Sequence, residues 1–132
     1  MILTILAALA AAAAPAPDDK PDCDDPQTQF EMNVCAAIDF EAADAELNRM
    51  WKEVVAAARS NDADFDWQSV KRPTTEQVLR DAQRAWIRLR DSHCTYEGYE
   101  ALGGSMEPML YNGCRARLTR ERIEQLRPQE AR

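Results

Sequence analysis

The side chains best equipped for chemistry in this 132-residue chain are four cysteines, Cys23, Cys35, Cys94 and Cys114, and a single histidine, His93. No two cysteines stand in a C-x-x-C spacing, so neither a zinc ribbon, a thioredoxin-type redox pair nor a haem attachment site is announced. An even set of widely spaced cysteines in an exported chain reads instead as two disulfides. A hydrolase triad needs a nucleophile, a base and a group that orients the base. His93 stands at helical spacing from Trp86, Leu89 and Tyr96, where a histidine is more often packed than catalytic, and no neighbouring spacing supplies metal partners. Neither an enzyme nor a metal or other cofactor is expected. Met106 and Met109 could ligate copper or haem, but core packing explains them with fewer assumptions. Gly103-Gly104-Ser105 has no lysine after it, which makes it a turn rather than a phosphate cradle.

The disulfide reading depends on export. Residues 1–17, MILTILAALAAAAAPAP, form an apolar and small-residue run, long enough for a signal-peptide core and short of the roughly 20 residues of a membrane span. Cleavage is expected after an alanine between Ala12 and Ala16, with an uncleaved anchor as the alternative. Cys23 follows Pro21-Asp22, away from the apolar core, so a lipid-anchored form is not expected. The remaining length supports one domain with a modest core, the size class that often adds covalent cross-links.

The net charge of −7 is unevenly distributed: residues 18–66 carry 14 acids against 4 bases, and residues 67–132 carry 12 bases against 9 acids. Polyanions such as nucleic acid or an anionic membrane are disfavoured partners, and a cationic protein is favoured. Arg84, Arg90 and Arg122 are read as structural, laying their stems over the core and meeting acids of the first helix.

Three main helices must position these residues. Asp18 to Gln27 is an acidic, proline-broken leader. Thr28 and Glu31 then form a capping box, and apolar residues from Phe30 through Val34, Ala37, Phe40, Ala43, Leu47, Trp51 and Val54 to Ala58 recur at helical spacing. The first helix is predicted over about 28–59. Ser60 to Pro73 breaks the pattern; Phe65 and Trp67 within it either close the end of the bundle or form an exposed binding surface. Thr74 or Thr75 caps a second helix, about 75–98, with Val78, Leu79, Ala82, Trp86 and Leu89 inward. A turn-rich connection follows, and a third helix, about 107–127, carries Pro108 in its first turn and Leu110, Cys114, Leu118, Ile123 and Leu126 on its buried stripe. The fold class is all-α, a small antiparallel bundle linked by two disulfides.

Short connections make neighbouring helices antiparallel, so the third helix runs parallel to the first. Cys35 and Cys114 then lie at similar depth, which favours Cys35–Cys114 with Cys23–Cys94. Pairing of sequence neighbours, Cys23–Cys35 with Cys94–Cys114, is the alternative. Either arrangement stabilises the fold by roughly 2–4 kcal/mol per bridge.

Beyond spacing, an ordered series of motifs covers almost all of the predicted mature chain. It runs from Cys23 through Thr28-Gln29-x-Glu31-Met32-Asn33-x-Cys35-Ala36 to Ala43-Asp44-x-Glu46-Leu47-Asn48. It continues with Ala82-Gln83-x-Ala85-Trp86-Ile87-x-x-Arg90-Asp91-x-x-Cys94, then Gly103-Gly104-Ser105, Cys114 and Thr119-x-x-Arg122-x-x-x-Leu126. The series, over about residues 23–127, resembles the lysozyme inhibitor LprI-like (N-terminal domain) family. The resemblance implies a small exported, helical, cysteine-bridged domain, periplasmic or secreted, that binds and inhibits a cationic lysozyme. Asp44, Asn48, Trp86, Arg90, Asp91 and Arg122 are then structural positions. Blocking a cleft with two catalytic carboxylates calls for a projecting loop that offers donors. The Gly98–Pro108 connection, with Gly103, Gly104, Ser105 and Glu107, is the first candidate, and the Asn61–Pro73 loop, with Phe65 and Trp67, the second. The founding type in that family is a lipoprotein, and the position of Cys23 departs from that pattern.

Overall fold

The computed structural model describes residues 20–128. The proposed signal segment, and the start of the acidic leader, lie outside the described residues. Four α-helices follow one another: α1 (Gln29–Ala63), a single turn α2 (Trp67–Val70), α3 (Thr75–Gly98) and α4 (Glu107–Leu126), with a 3-10 turn at Tyr99–Ala101. No strand occurs among the described residues.

The helix starts follow from local chemistry. Thr28 and Glu31 cap α1 reciprocally, and Thr74 and Gln77 do the same for α3. Pro108 sits in the first turn of α4, where its missing N–H costs nothing. The first helix runs four residues beyond its predicted end, through Ser60-Asn61-Asp62-Ala63. Polar residues there lower helix propensity by only tenths of a kcal/mol each, and Asp62 is recruited to the next helix. Its carboxylate accepts the backbone N–H groups of Thr75 and Glu76, both at 2.9 Å, so the last turn of α1 caps the first turn of α3.

The three long helices pack as a bundle. Antiparallel α1 and α3 meet through Arg59 and Glu76 at one end and Asp44 and Arg90 farther along. The first and last helices run parallel, as Gln29 against Met109 and Glu46 against Arg127 show. The buried apolar residues are Ala43, Leu47, Val55 and Ala58 of α1 and Ala116 and Ile123 of α4, with the Cys94–Cys114 disulfide buried between α3 and α4. Burial of a side chain such as Ile123, 2 % exposed, is worth roughly 1.5–3 kcal/mol.

Two expectations are corrected here. The first concerns the disulfides. Cys23 pairs with Cys35 and Cys94 with Cys114, so the favoured Cys23–Cys94 and Cys35–Cys114 pairing gives way to its alternative. Depth along the bundle fixed height but not azimuth. The Cys114 side of α4 faces α3 rather than α1, and Pro21 to Asp25 folds back over the start of α1.

The second concerns the inward face of α3. Val78, Ala82, Leu89 and Tyr96 are exposed, while Gln83, Arg90, Cys94 and Gly98 are buried. The true stripe contains two long polar residues, because the space between α3 and its neighbours is filled by hydrogen bonds as well as hydrocarbon. Phe30 at the start of α1 is likewise exposed rather than inward. Trp67 closes onto the end of α1, its Nε1–H donating to the Asp62 carbonyl at 3.2 Å, with Phe65 exposed and its ring 4.7 Å from that of Trp67.

Candidate functional site

Chemistry-bearing residues gather in two places. The first lies inside the bundle. Arg90, 6 % exposed, donates through Nε to Asp91 at 2.8 Å and through Nη1 to Asp44 at 3.2 Å and Thr119 Oγ1 at 3.3 Å. Its guanidinium also lies 5.2 Å from the Phe40 ring centre and 5.1 Å from that of Trp86. Asn48 Nδ2 donates to the other Asp44 oxygen at 3.1 Å. Arg122 reaches Gln83 Oε1 at 3.0 Å and lies 5.7 Å from Trp86; burial pushes its guanidinium pKa down, and an arginine so shifted still carries its charge at neutral pH. Arg84, also expected to meet an acid of the first helix, instead pairs with Asp81 of its own helix.

Arg115, which spacing did not single out, stacks 3.7 Å from the Phe40 ring centre on the side of α4. Its Nε lies 3.5 Å from Asp91 Oδ1, within ion-pair range but without a hydrogen bond. All of these groups hold one another. They order three helices.

His93 is exposed and shares a hydrogen bond with Glu97 at 2.9 Å, and Glu97 in turn accepts from Arg117 at 2.7 Å. Ligand atoms of His93, Glu97 and Cys114 lie within 4.8 Å of one another, but the Cys114 sulfur is spent in its disulfide and offers no thiolate.

The second place is the end of the bundle where the α3–α4 connection meets the start of α1. Gly103, Gly104 and Glu107 line an open concavity of 480 Å³ together with Pro108, Tyr111 and Asn112. Gly103 adopts φ +75°, a left-handed conformation suited to glycine. Its N–H donates to Glu107 Oε2 at 2.8 Å, which fixes the carboxylate at the concavity. Ser105, expected among the contacting groups, does not line it; its carbonyl accepts Asn33 Nδ2 at 2.8 Å and ties the loop to α1. Tyr111, one helical turn beyond Glu107, was legible as its i+4 neighbour.

Exposed apolar side chains belong to this same end: Phe30, Tyr96, Tyr99, Leu102 and Met106. It is also where negative charge is unopposed along the chain. Residues 21–48 hold eight acids and no lysine or arginine, and residues 91–114 contain no lysine or arginine either. Arg120, Arg90 and Arg127 answer Asp39, Asp44 and Glu46; Asp22, Asp24, Asp25, Glu31 and Glu41 take part in no ion pair among the described residues. The second predicted loop lies at the opposite end: Trp67 is anchored to α1 through Asp62, and Phe65, its ring beside that of Trp67, stays exposed.

Compared with known proteins, residues 23–126 match the family described as Lysozyme inhibitor LprI. The chain belongs to the LprI lysozyme inhibitor family. An uncharacterized protein of Rhizobium meliloti (strain 1021) is 45 % identical over 116 residues, covering 88 % of this chain and 84 % of its own length. No solved structure matches. The motif series that resembles LprI falls in two places: the cysteines, Asp44, Asn48, Trp86, Arg90, Asp91 and Arg122 at the disulfides and in the internal network, and Thr28, Glu31, Asn33 and Gly103-Gly104-Ser105 at the end of the bundle where the α3–α4 connection meets the start of α1. Through the first set LprI membership speaks for the scaffold. Among the described residues no helix is long and apolar enough to cross a membrane.

Proposed function

We propose that this protein is exported and binds a cationic lysozyme through the end of the bundle formed by the α3–α4 connection and the start of α1, blocking the enzyme by contact and without chemistry of its own. The observation that carries this reading is membership of an inhibitor family along almost the whole described chain. The distribution of charge and apolar surface supports it. Acids without cationic neighbours steer a basic enzyme toward that end, and Tyr99, Leu102 and Met106 supply exposed area of the kind that interface centres use. The Gly103-Gly104-Ser105 turn is exposed at that end, held by the Gly103 N–H on Glu107 and the Gly104 N–H on the Ala101 carbonyl, and presents a preorganised surface to a partner.

Muramidase activity of hen-type lysozyme, followed while the purified mature protein is added, tests the reading. Lysis is expected to fall at micromolar inhibitor in low salt and to recover as salt is raised. Undiminished lysis under those conditions would leave a non-enzymatic envelope adaptor as the better description.

A further inference from the structure

We infer that the concavity at Glu107 is a receptor for a cationic side chain of the bound enzyme, an arginine in preference to a lysine. The inference rests on the proposed function and names the contact through which it works. Six residues line the concavity, none of them basic, and the groups they present suit a guanidinium. Glu107 offers a carboxylate already oriented by the Gly103 N–H at 2.8 Å, so little side-chain entropy remains to be lost on pairing.

Tyr111 offers an aromatic side chain at the border of the concavity, and Gly103, Gly104 and Pro108 line it without any charged group that would repel a guanidinium. A Cβ added at Gly103 would meet nothing within 4 Å, so the space beside it is open. Arg115 of the same helix lies 4.8 Å from the Tyr111 ring centre and donates to Asn112 Oδ1 at 3.4 Å, and its charge is answered by Asp91. Exposed Leu102 and Met106 flank Gly103 and Gly104 in sequence and supply apolar cover for the stem of an incoming side chain. A volume of 480 Å³ falls within the roughly 300–1,000 Å³ of small-ligand pockets. An anionic headgroup would meet Glu107 with like charge, which sets a membrane aside as the occupant.

The substitution Glu107→Gln isolates the charge, because the amide oxygen can still accept the Gly103 N–H and keep the loop. Glu53→Gln, more than five turns along α1 from Asn33, removes the same charge at a distance and controls for steering. Calorimetric titration of hen-type lysozyme into the mature protein is expected to show binding weakened roughly tenfold or more by Glu107→Gln and nearly unchanged by Glu53→Gln. Equal affinities for Glu107→Gln and wild type would overturn the inference while leaving the inhibitor reading intact.

A second arm uses N-acetyl-arginine amide with the isotope-labelled mature protein. Saturable shifts of the Gly103 and Gly104 amide signals are expected in the wild type and absent in Glu107→Gln. Failure of wild-type protein to bind lysozyme, with those shifts present, would overturn the inhibitor reading and uphold the pocket as a guanidinium receptor. Absence of both would overturn the pocket.

Discussion

Arg90 shows how much one residue can organise. Its guanidinium serves an acid of α1, an acid of α3 and a hydroxyl of α4 and lies against two aromatic rings. The two acids it meets are themselves partly open to water, so their loss of a partner costs less than it would in a sealed core. Arg90→Ala is nevertheless expected to lower unfolding free energy by about 2–4 kcal/mol, through the vacated volume and the lost hydrogen bonds. Arg90→Lys keeps the charge but cannot reproduce the planar fork, and is expected to recover less than half of that loss. Urea unfolding followed by circular dichroism measures both. This residue was legible as a core-covering arginine meeting the first helix. Its depth was not, because an apolar count along α3 places Leu89 inward and gives Arg90 to solvent.

The elements are joined by two kinds of clamp, and each has its own test. At one end Glu76 binds Arg59 of α1 in two hydrogen bonds of 2.8 Å and Arg80 of its own helix at 2.9 Å. The Arg59 bond first, and the Arg80 bond next, hold the Glu76 carboxyl down to about 2 from its ordinary 4.5. Desolvation raises the Asp62 carboxyl, but the N–H groups of Glu76 and Thr75 outweigh it and leave it below its ordinary value. Both carboxyls have a lower pKa folded than unfolded, so their contribution to stability is complete above the unfolded value and is lost as the pH falls through the folded one. The thermal midpoint is expected to drop between pH 4.5 and pH 2, and Glu76→Gln to flatten that decline.

The disulfides clamp the other end. Cys94 and Cys114 are buried, whereas Cys23 is exposed. Mild reductant, alkylation and peptide mass mapping are expected to find Cys23 and Cys35 opened first. Replacing Cys94 and Cys114 together by alanine should cost about 3 kcal/mol, and the same change at Cys23 and Cys35 less, since the leader it secures takes little part in the core.

Across the whole molecule, charge is sorted along the bundle. Arg120 of α4 and Arg127 just beyond it neutralise the middle of α1, and the surplus acids remain at the end that carries the α3–α4 connection. Attraction between that end and a basic enzyme acts over about a Debye length, near 10 Å at 0.1 M salt. The association rate with lysozyme is therefore expected to fall by an order of magnitude or more between about 0.02 and 0.2 M salt, with a smaller change in dissociation. Stopped-flow fluorescence would measure it; a rate indifferent to salt would contradict steering by this surface.

Local chemistry was enough to place most of the helix ends, since capping boxes at Thr28 and Thr74 and the proline at 108 act through bonds three residues away or fewer. It was also enough to identify the Gly103–Glu107 turn and the acidic first half. The rotation of each helix about its axis was beyond its reach, because that angle depends on what the opposite helix presents. The same unknown angle misplaced both sulfur partners and the inward stripe of α3. Glu107, Tyr111 and Asn112 share a helix face by spacing alone, but folding set Gly103 and Gly104 of the connection beside them and placed the concavity at the acidic end, where short-range connection and long-range packing meet.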